Sequence, residues 1–174
     1  MTDELAYAIS KAARIEGPYV LRSGQIASHY FDKYRIQADP TLLKRLTPRM
    51  LALLPPGTEV LAGLELGGVP IATAMSIESG LPLAFVRRKH KAYGTRQLIE
   101  GLPVSGRKVV IVEDVISTGA TAADAAAQLR AADAVPLAVV CAIWRGTGSP
   151  KIPGLEDVPV FTVFNECDLD PDAG

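Results

Sequence analysis

The run VVIVEDVISTGAT, Val109 to Thr121, constrains the fold more tightly than any other stretch. Its opening residues, Val109-Val110-Ile111-Val112, are continuously apolar and β-branched, as in a strand covered on both faces. Two adjacent acids, Glu113 and Asp114, close that run. After Val115 and Ile116, the small residues Ser117, Thr118 and Gly119 lead into ATAADAAAQLRAA, whose alanines favour helix. A buried parallel strand feeding directly into a helix is half of a βαβ unit, so the rest of the chain must alternate strand and helix.

That alternation is present on both sides. EVLAGLEL predicts a strand, and PIATAMSIES predicts a helix opened by Pro70 and closed by Gly80. LAFVRR is the next strand, followed by a polar stretch to Gly101 without periodicity. LAVVCAIW and VPVFTVFN are the last two strands, and Gly146 to Pro159, rich in Gly and Pro, reads as a surface loop. Near the start, Leu5, Ile9, Ala12 and Ala13 fall at helical spacing, with Gly17-Pro18 as the stop. Asp39-Pro40 offers a cap and a first-turn proline for a second helix bearing Leu42, Leu43, Leu46 and Met50, which Pro48 should kink or split. The expected fold is α/β, an open and mostly parallel twisted sheet with flanking helices, in one domain over residues 1–174.

Composition fits this. The 174 residues, 48% of them hydrophobic, suffice for one real core. A net charge of -1 argues against a surface that coats nucleic acid. No stretch approaches the roughly 20 apolar residues of a membrane span, and the N-terminus MTDELAYAISKAARIEG has no apolar core of a secretory signal. The two cysteines, Cys141 and Cys167, lie far apart without metal-ligand spacing, which suits a reduced cytoplasmic protein with Cys141 buried as a small apolar residue.

The chemistry concentrates where the argument began. In open α/β sheets ligands bind beyond the carboxyl ends of the strands, where Glu113 and Asp114 stand. The turn STGAT runs into a helix N-terminus, whose free N–H groups and dipole favour an anion. Carboxylates repel phosphate, so the two features must serve different parts of one ligand. The turn holds a phosphate and the acids accept from neighbouring hydroxyls, the layout of a ribose 5-phosphate. Taken alone, solvated acids beside an ordinary helix cap would read the same way. Other phosphate motifs do not compete: GLELGGVP has the glycine spacing of a P-loop, but Val69-Pro70 replaces its Lys-Ser/Thr, and no G-x-G-x-x-G follows a strand.

VVIVEDVISTGAT resembles the signature of type I phosphoribosyltransferases. The resemblance implies that Glu113 and Asp114 hold the ribose hydroxyls of phosphoribosyl pyrophosphate (PRPP). It also implies that Val115, Ile116, Ser117, Thr118, Gly119, Ala120 and Thr121 surround its 5-phosphate. Three further stretches are similar to orotate phosphoribosyltransferases. FVRRKHKAYGTRQLIEG crowds Arg87, Arg88, Lys89 and Lys91 after a strand, a basic lid suited to pyrophosphate or else a solvated loop. It is similar to the family's catalytic loop, with Arg88 at a usual lysine and Tyr93 at an aromatic or His position. In LRSGQIASHYFD, Arg22 falls on the family's lysine and Tyr30-Phe31 on the aromatic pair that packs on orotate. Arg145, ending VVCAIWRG, matches the arginine used against orotate, with Trp144 where the family more often has Asp. Gly67 stands where some members have lysine.

The resemblance implies the type I phosphoribosyltransferase fold with a small N-terminal hood. It implies transfer of ribose 5-phosphate from PRPP to orotate, with Lys91 and Asp114 as catalytic residues and Ser117 shared between PRPP and orotate. It further implies a homodimer in which loop 87–101 closes over the neighbouring active site. Mg²⁺ is expected to arrive on PRPP and to keep several waters, with no direct protein ligand. Departure of pyrophosphate requires positioning and charge stabilisation and no covalent nucleophile, so His29 and His90 are expected to be bystanders. Two rivals stay open: a phosphoribosyltransferase for a purine or uracil, and a non-catalytic PRPP-binding regulator.

Overall fold

The computed structural model describes residues 3–20, 24–89 and 97–169. At its centre is a six-stranded sheet of β3 (Val60–Leu64), β4 (Leu83–Val86), β5 (Ile99–Gly101), β6 (Lys108–Ile116), β7 (Val135–Trp144) and β8 (Val160–Asn165), in the order β5-β4-β3-β6-β7-β8. All neighbours are parallel except β4 and β5. The strand order reverses its direction of growth between β3 and β6, and the crevice at such a switch point is where open α/β sheets bind ligands. The acids of β6 are at that crevice.

Alternation along the buried strands supplies two cores. Val110 and Val112 of β6 and Ala138 and Val140 of β7 face one way, onto α1 (Glu4–Ala13), α3 (Pro40–Leu51) and α4 (Gly68–Ser79). Val109, Ile111, Val139 and Cys141 face the other way, onto α5 (Ala120–Ala131). Glycines bring α4 close to the sheet. A Cβ on Gly68 would fall 2.2 Å from the Val112 carbonyl oxygen, so a side chain there would lift the helix off β6. Among the described residues no helix is long and apolar enough to cross a membrane.

The structure revises four readings. The first helix ends at Ala13, not at Gly17, because Arg14–Val20 forms β1 and pairs antiparallel with β2, Ile26–Phe31. Gly17-Pro18 falls in the irregular register between Glu16 and Tyr19, where a proline without an N–H costs the ladder nothing. Pro48 does not split α3: it lies in the last turn, where few hydrogen bonds remain to be lost. Asp39 caps α3 as its sequence requires, accepting from the Thr41 and Leu42 N–H groups at 2.8 and 3.2 Å. The polar stretch before Gly101 ends in strand β5, and Arg87 N–H donates to Leu98 O at 2.8 Å, so the chain on either side of the basic segment is paired antiparallel. The Gly146 to Pro159 loop also buries Ile152, Leu155 and Val158 against the α5 face, too apolar for a purely solvated connection.

Because Ile111 is fully buried in mid-sheet, Ile111→Ala should lower unfolding free energy by about 2–5 kcal/mol in urea denaturation. Ile77→Ala, at a residue 81% exposed on α4, should change it by less than about 0.5 kcal/mol. Equal effects would mean that the sheet interior is not the stabilising core.

Candidate active site

Strand parity aims the two acids. Asp114 shares the parity of Val110 and Val112, and it meets the N-terminal elements on that face. Asp114 is 2% exposed, and three N–H donors bond its carboxylate. Oδ1 accepts from Lys33 Nζ at 2.9 Å and from the Val115 N–H at 2.7 Å, and Oδ2 accepts from Gln37 Nε2 at 2.7 Å. Lys33 immediately precedes α2 (Tyr34–Ala38) and Gln37 lies on it. Gly67, at the start of α4, lies so close to this carboxylate that a Cβ there would fall 1.8 Å from Oδ2. With Asp114 in this position, no side chain fits at residue 67.

Glu113 is also buried, and its Oε1 accepts from the Asp114 N–H at 3.1 Å. Burial, then the adjacent Asp114 charge, then a hydrogen bond between the two carboxyls push its pKa up from 4.5 to about 8. Glu113 therefore keeps its proton near neutrality. Cys141, opposite Glu113 on β7, is pushed up to about 12 chiefly by burial, which keeps it a neutral thiol. That agrees with its reading as a small core residue.

Beyond the acids the chain turns outward. Ser117 and Thr118 are exposed, and Gly119 takes φ 79 at the entry to α5. A Cβ there would both strain the backbone and strike Ile152 at 2.5 Å. No side chain caps α5, and the Thr118 hydroxyl is a distant 3.5 Å from the Ala120 N–H. The first-turn amides, through Thr121, thus retain donor capacity for a bound anion. Ile116 O accepts from the Arg145 N–H at 2.7 Å, which docks the end of β7 beside this turn.

Arg145 is half exposed. Its Nε donates to Glu166 Oε1 at 2.7 Å, and its guanidinium lies 5.9 Å from the Phe31 ring centroid. Of the aromatic pair, Phe31 thus stands beside Arg145, while Tyr30 packs against Tyr19 with centroids 5.7 Å apart, as alternation along β2 requires. Arg87 pairs with Glu65 at 3.8 Å, and the Arg88 N–H donates to Glu65 Oε2 at 3.1 Å. Arg88 Nη2 lies 3.4 Å from the Thr121 hydroxyl. Arg87, Arg88 and Thr121 share the lining of a cavity of about 230 Å³ at the start of α5. Arg22, Lys91, Tyr93 and His90 lie outside the described residues. His29 is on β2, its Nδ1 3.3 Å from the Ser28 hydroxyl.

Sequence reasoning missed Lys33, Gln37, Glu65 and Glu166. Lys33 sits next to the flagged aromatic pair, but no local pattern links residue 33 to residue 114. Gly67 was visible as a missing lysine, although its structural reason is the carboxylate packed against its Cα.

An acid pair at the sheet's switch point, followed by an anion-ready helix start, is the architecture of a phosphoribosyltransferase. Residues 36–163 match the phosphoribosyl transferase domain family. An orotate phosphoribosyltransferase from a Nocardioides species is 50% identical over 173 residues, 98% of this chain and 96% of that protein. That of Methanocella arvoryzae is 35% identical, covering 97% of each. A crystal structure of the Mycobacterium tuberculosis orotate phosphoribosyltransferase in complex with inorganic phosphate superposes with TM-score 0.80 at 29% identity, covering 95% of this chain and 96% of that one. The chain belongs to the orotate phosphoribosyltransferase family.

The raised Glu113 pKa has a thermodynamic signature. Between pH 4.5 and about 8 the folded chain holds a proton that the unfolded chain has released. This contribution to stability is complete below pH 4.5 and is lost as pH rises through about 8, by at most about 1.4 kcal/mol per pH unit. Glu113→Gln cannot titrate and should lack that decline. Urea midpoints from pH 5 to 8 should fall in the parent relative to the variant, and parallel curves would contradict the buried, protonated carboxyl.

Proposed function

We propose that this chain transfers ribose 5-phosphate from PRPP to N1 of orotate, giving orotidine 5'-monophosphate and pyrophosphate, at the switch-point crevice beyond the carboxyl end of β6. The observation that carries this reading is the docking of Arg145 against Ile116, beside the acid pair and the turn, with Phe31 under its guanidinium. One end of the sheet thus offers a diol acceptor, an anion turn and a planar cation over an aromatic ring. Arg145 already grips an internal carboxylate, that of Glu166, and orotate presents a carboxylate of the same chemistry. The Mycobacterium tuberculosis relative, which has also been crystallised with PRPP, has TM-score 0.76 and 27% identity in that structure.

In this reading Asp114 and Glu113 bind the ribose hydroxyls, and Ser117 to Thr121 take the 5-phosphate with Val115 and Ile116 as the apolar spacer. As the bond from the anomeric carbon to pyrophosphate lengthens, the ribose gains oxocarbenium character and the leaving oxygen gains negative charge. The adjacent carboxylate favours the first, and the basic lid favours the second. Arg87 and Arg88 frame the lid's base. Lys91 neutralises pyrophosphate, and Tyr93 closes over it. We assign Lys91 and Tyr93 to the site of a neighbouring subunit in a homodimer, through loop 87–101. Arg22, Tyr30, Phe31 and Ser117 complete the orotate contacts with Arg145.

Mg²⁺ would enter on the diphosphate and offset its charge. The fit favours that route over a direct protein site, because the Asp114 oxygens already bond Lys33, Gln37 and Val115 N–H. Among the described residues no group of three His, Cys, Asp or Glu is placed to hold a metal. The free thiols Cys141 and Cys167 suit the reducing cytoplasm.

Pyrophosphate release with a panel of bases tests the assignment. Orotate should be turned over, while uracil, which lacks the carboxylate, and adenine should not. Arg145→Ala should raise the KM for orotate by about 10- to 100-fold, the worth of a charge-assisted contact, with the KM for PRPP much less affected. Equal turnover of uracil, or an unchanged orotate KM in Arg145→Ala, would overturn the base assignment.

A further inference from the structure

Lys33 and Gln37 come from the N-terminal part of the chain and reach the second acid of β6 across 81 and 77 residues of sequence. We propose that Lys33, aided by Gln37, is a positioning residue: it aims the Asp114 carboxylate at the ribose and offsets its charge, so that the site accepts a polyanionic sugar diphosphate only when the N-terminal segment is seated. The inference rests on the reading of Asp114 as a ribose ligand.

The lone-pair count separates the donors that hold the carboxylate from the one that a ribose displaces. A carboxylate offers about four acceptor sites, and Lys33, Val115 N–H and Gln37 use three of them, two on Oδ1 and one on Oδ2. The Glu113 carboxyl, hydrogen-bonded to the same carboxylate, holds the remaining site. A ribose hydroxyl thus takes that site by displacing the Glu113 contact, while Lys33, Gln37 and the Val115 N–H keep the carboxylate in place. Gly67 presses on Oδ2 from the α4 side, leaving the carboxylate no room to turn that way. The Asp114 side chain is 3% exposed and that of Lys33 35%, so the ammonium bridges the buried acid and the open crevice. There it meets the incoming diphosphate as well as the carboxylate.

Charge arithmetic points the same way. The titratable groups that face Asp114 are Lys33 before α2, Glu113 on its own strand and Cys141 on β7, while the turn before α4 sets Gly67 against the carboxylate. With Glu113 protonated and Cys141 a neutral thiol, the Lys33 ammonium and the Asp114 carboxylate sum to zero. Without Lys33, a phosphate-bearing ligand would approach an unbalanced buried carboxylate. Lys33 also draws the Glu113 pKa down, against burial and Asp114.

The test compares Lys33→Met, Lys33→Arg, Gln37→Leu and Asp114→Asn in the full-length protein, by PRPP calorimetry, initial rates and thermal melting. Lys33→Met should weaken PRPP binding and raise its KM by about tenfold or more, leave the KM for orotate within about threefold, and shift the pH dependence of PRPP affinity upward. Lys33→Arg should restore most of the affinity and the parent pH profile, which a merely structural role does not require. Gln37→Leu should show a smaller loss in the same direction, and it decides the matter if Lys33→Met fails to fold. Parent-like PRPP affinity in Lys33→Met, or in Gln37→Leu where only that variant folds, with binding lost in Asp114→Asn, would overturn the proposal and leave the ribose assignment standing. Parent-like affinity in Asp114→Asn would overturn the ribose assignment itself.

Discussion

Two carboxyls buried side by side at the end of one strand set the terms for everything around them. In a low-dielectric site two adjacent negative charges repel strongly, and each also pays for lost hydration. The chain resolves this asymmetrically. Glu113 keeps its proton to about pH 8, and Asp114 is met by an ammonium, an amide and a backbone N–H. Each partner imposes a further constraint: the ammonium requires the segment before α2 to lie over the sheet, and the packed carboxylate requires glycine at residue 67.

The same asymmetry separates two chemistries within one short stretch. Val115 and Ile116 carry the backbone from the acids to the turn, and only beyond them does the chain expose Ser117 and Thr118. A phosphate at the start of α5 is thus kept clear of the carboxylates, while a sugar can span from one to the other. Arg145 joins this frame through a backbone hydrogen bond to Ile116. Arg145, the proposed base contact, and the acids, the proposed ribose contacts, consequently stand on adjacent parallel strands.

Much of this was legible in the sequence where a local signal was strong. The continuous apolar run before Glu113, the Asp39-Pro40 helix start and Gly80 at the end of α4 all gave the observed element, because burial, capping and positive φ are decided within a few residues. The hairpin β1–β2 was missed because Gly17-Pro18 reads as a helix stop, and only pairing with residues 26–31 makes it a strand irregularity. Strand β5 was missed because three residues at a sheet edge carry too little periodicity to register. In the site, Phe31 and Arg145 were visible as residue types, and their proximity came only with the fold. Lys33 left no trace, since its partner lies 81 residues away and a lone lysine after Asp32 looks like solvated surface.

The central claim is that the Asp114 and Glu113 corner receives the ribose while the start of α5 receives its phosphate. A crystal structure of this protein with PRPP and Mg²⁺ measures that directly. The account predicts one ribose hydroxyl within hydrogen-bonding distance of Asp114 Oδ2, Lys33 still on Oδ1, and the 5-phosphate against the amides from Thr118 to Thr121. A sugar diphosphate bound with its hydroxyls away from both acids, or with its 5-phosphate away from the α5 start, would contradict it.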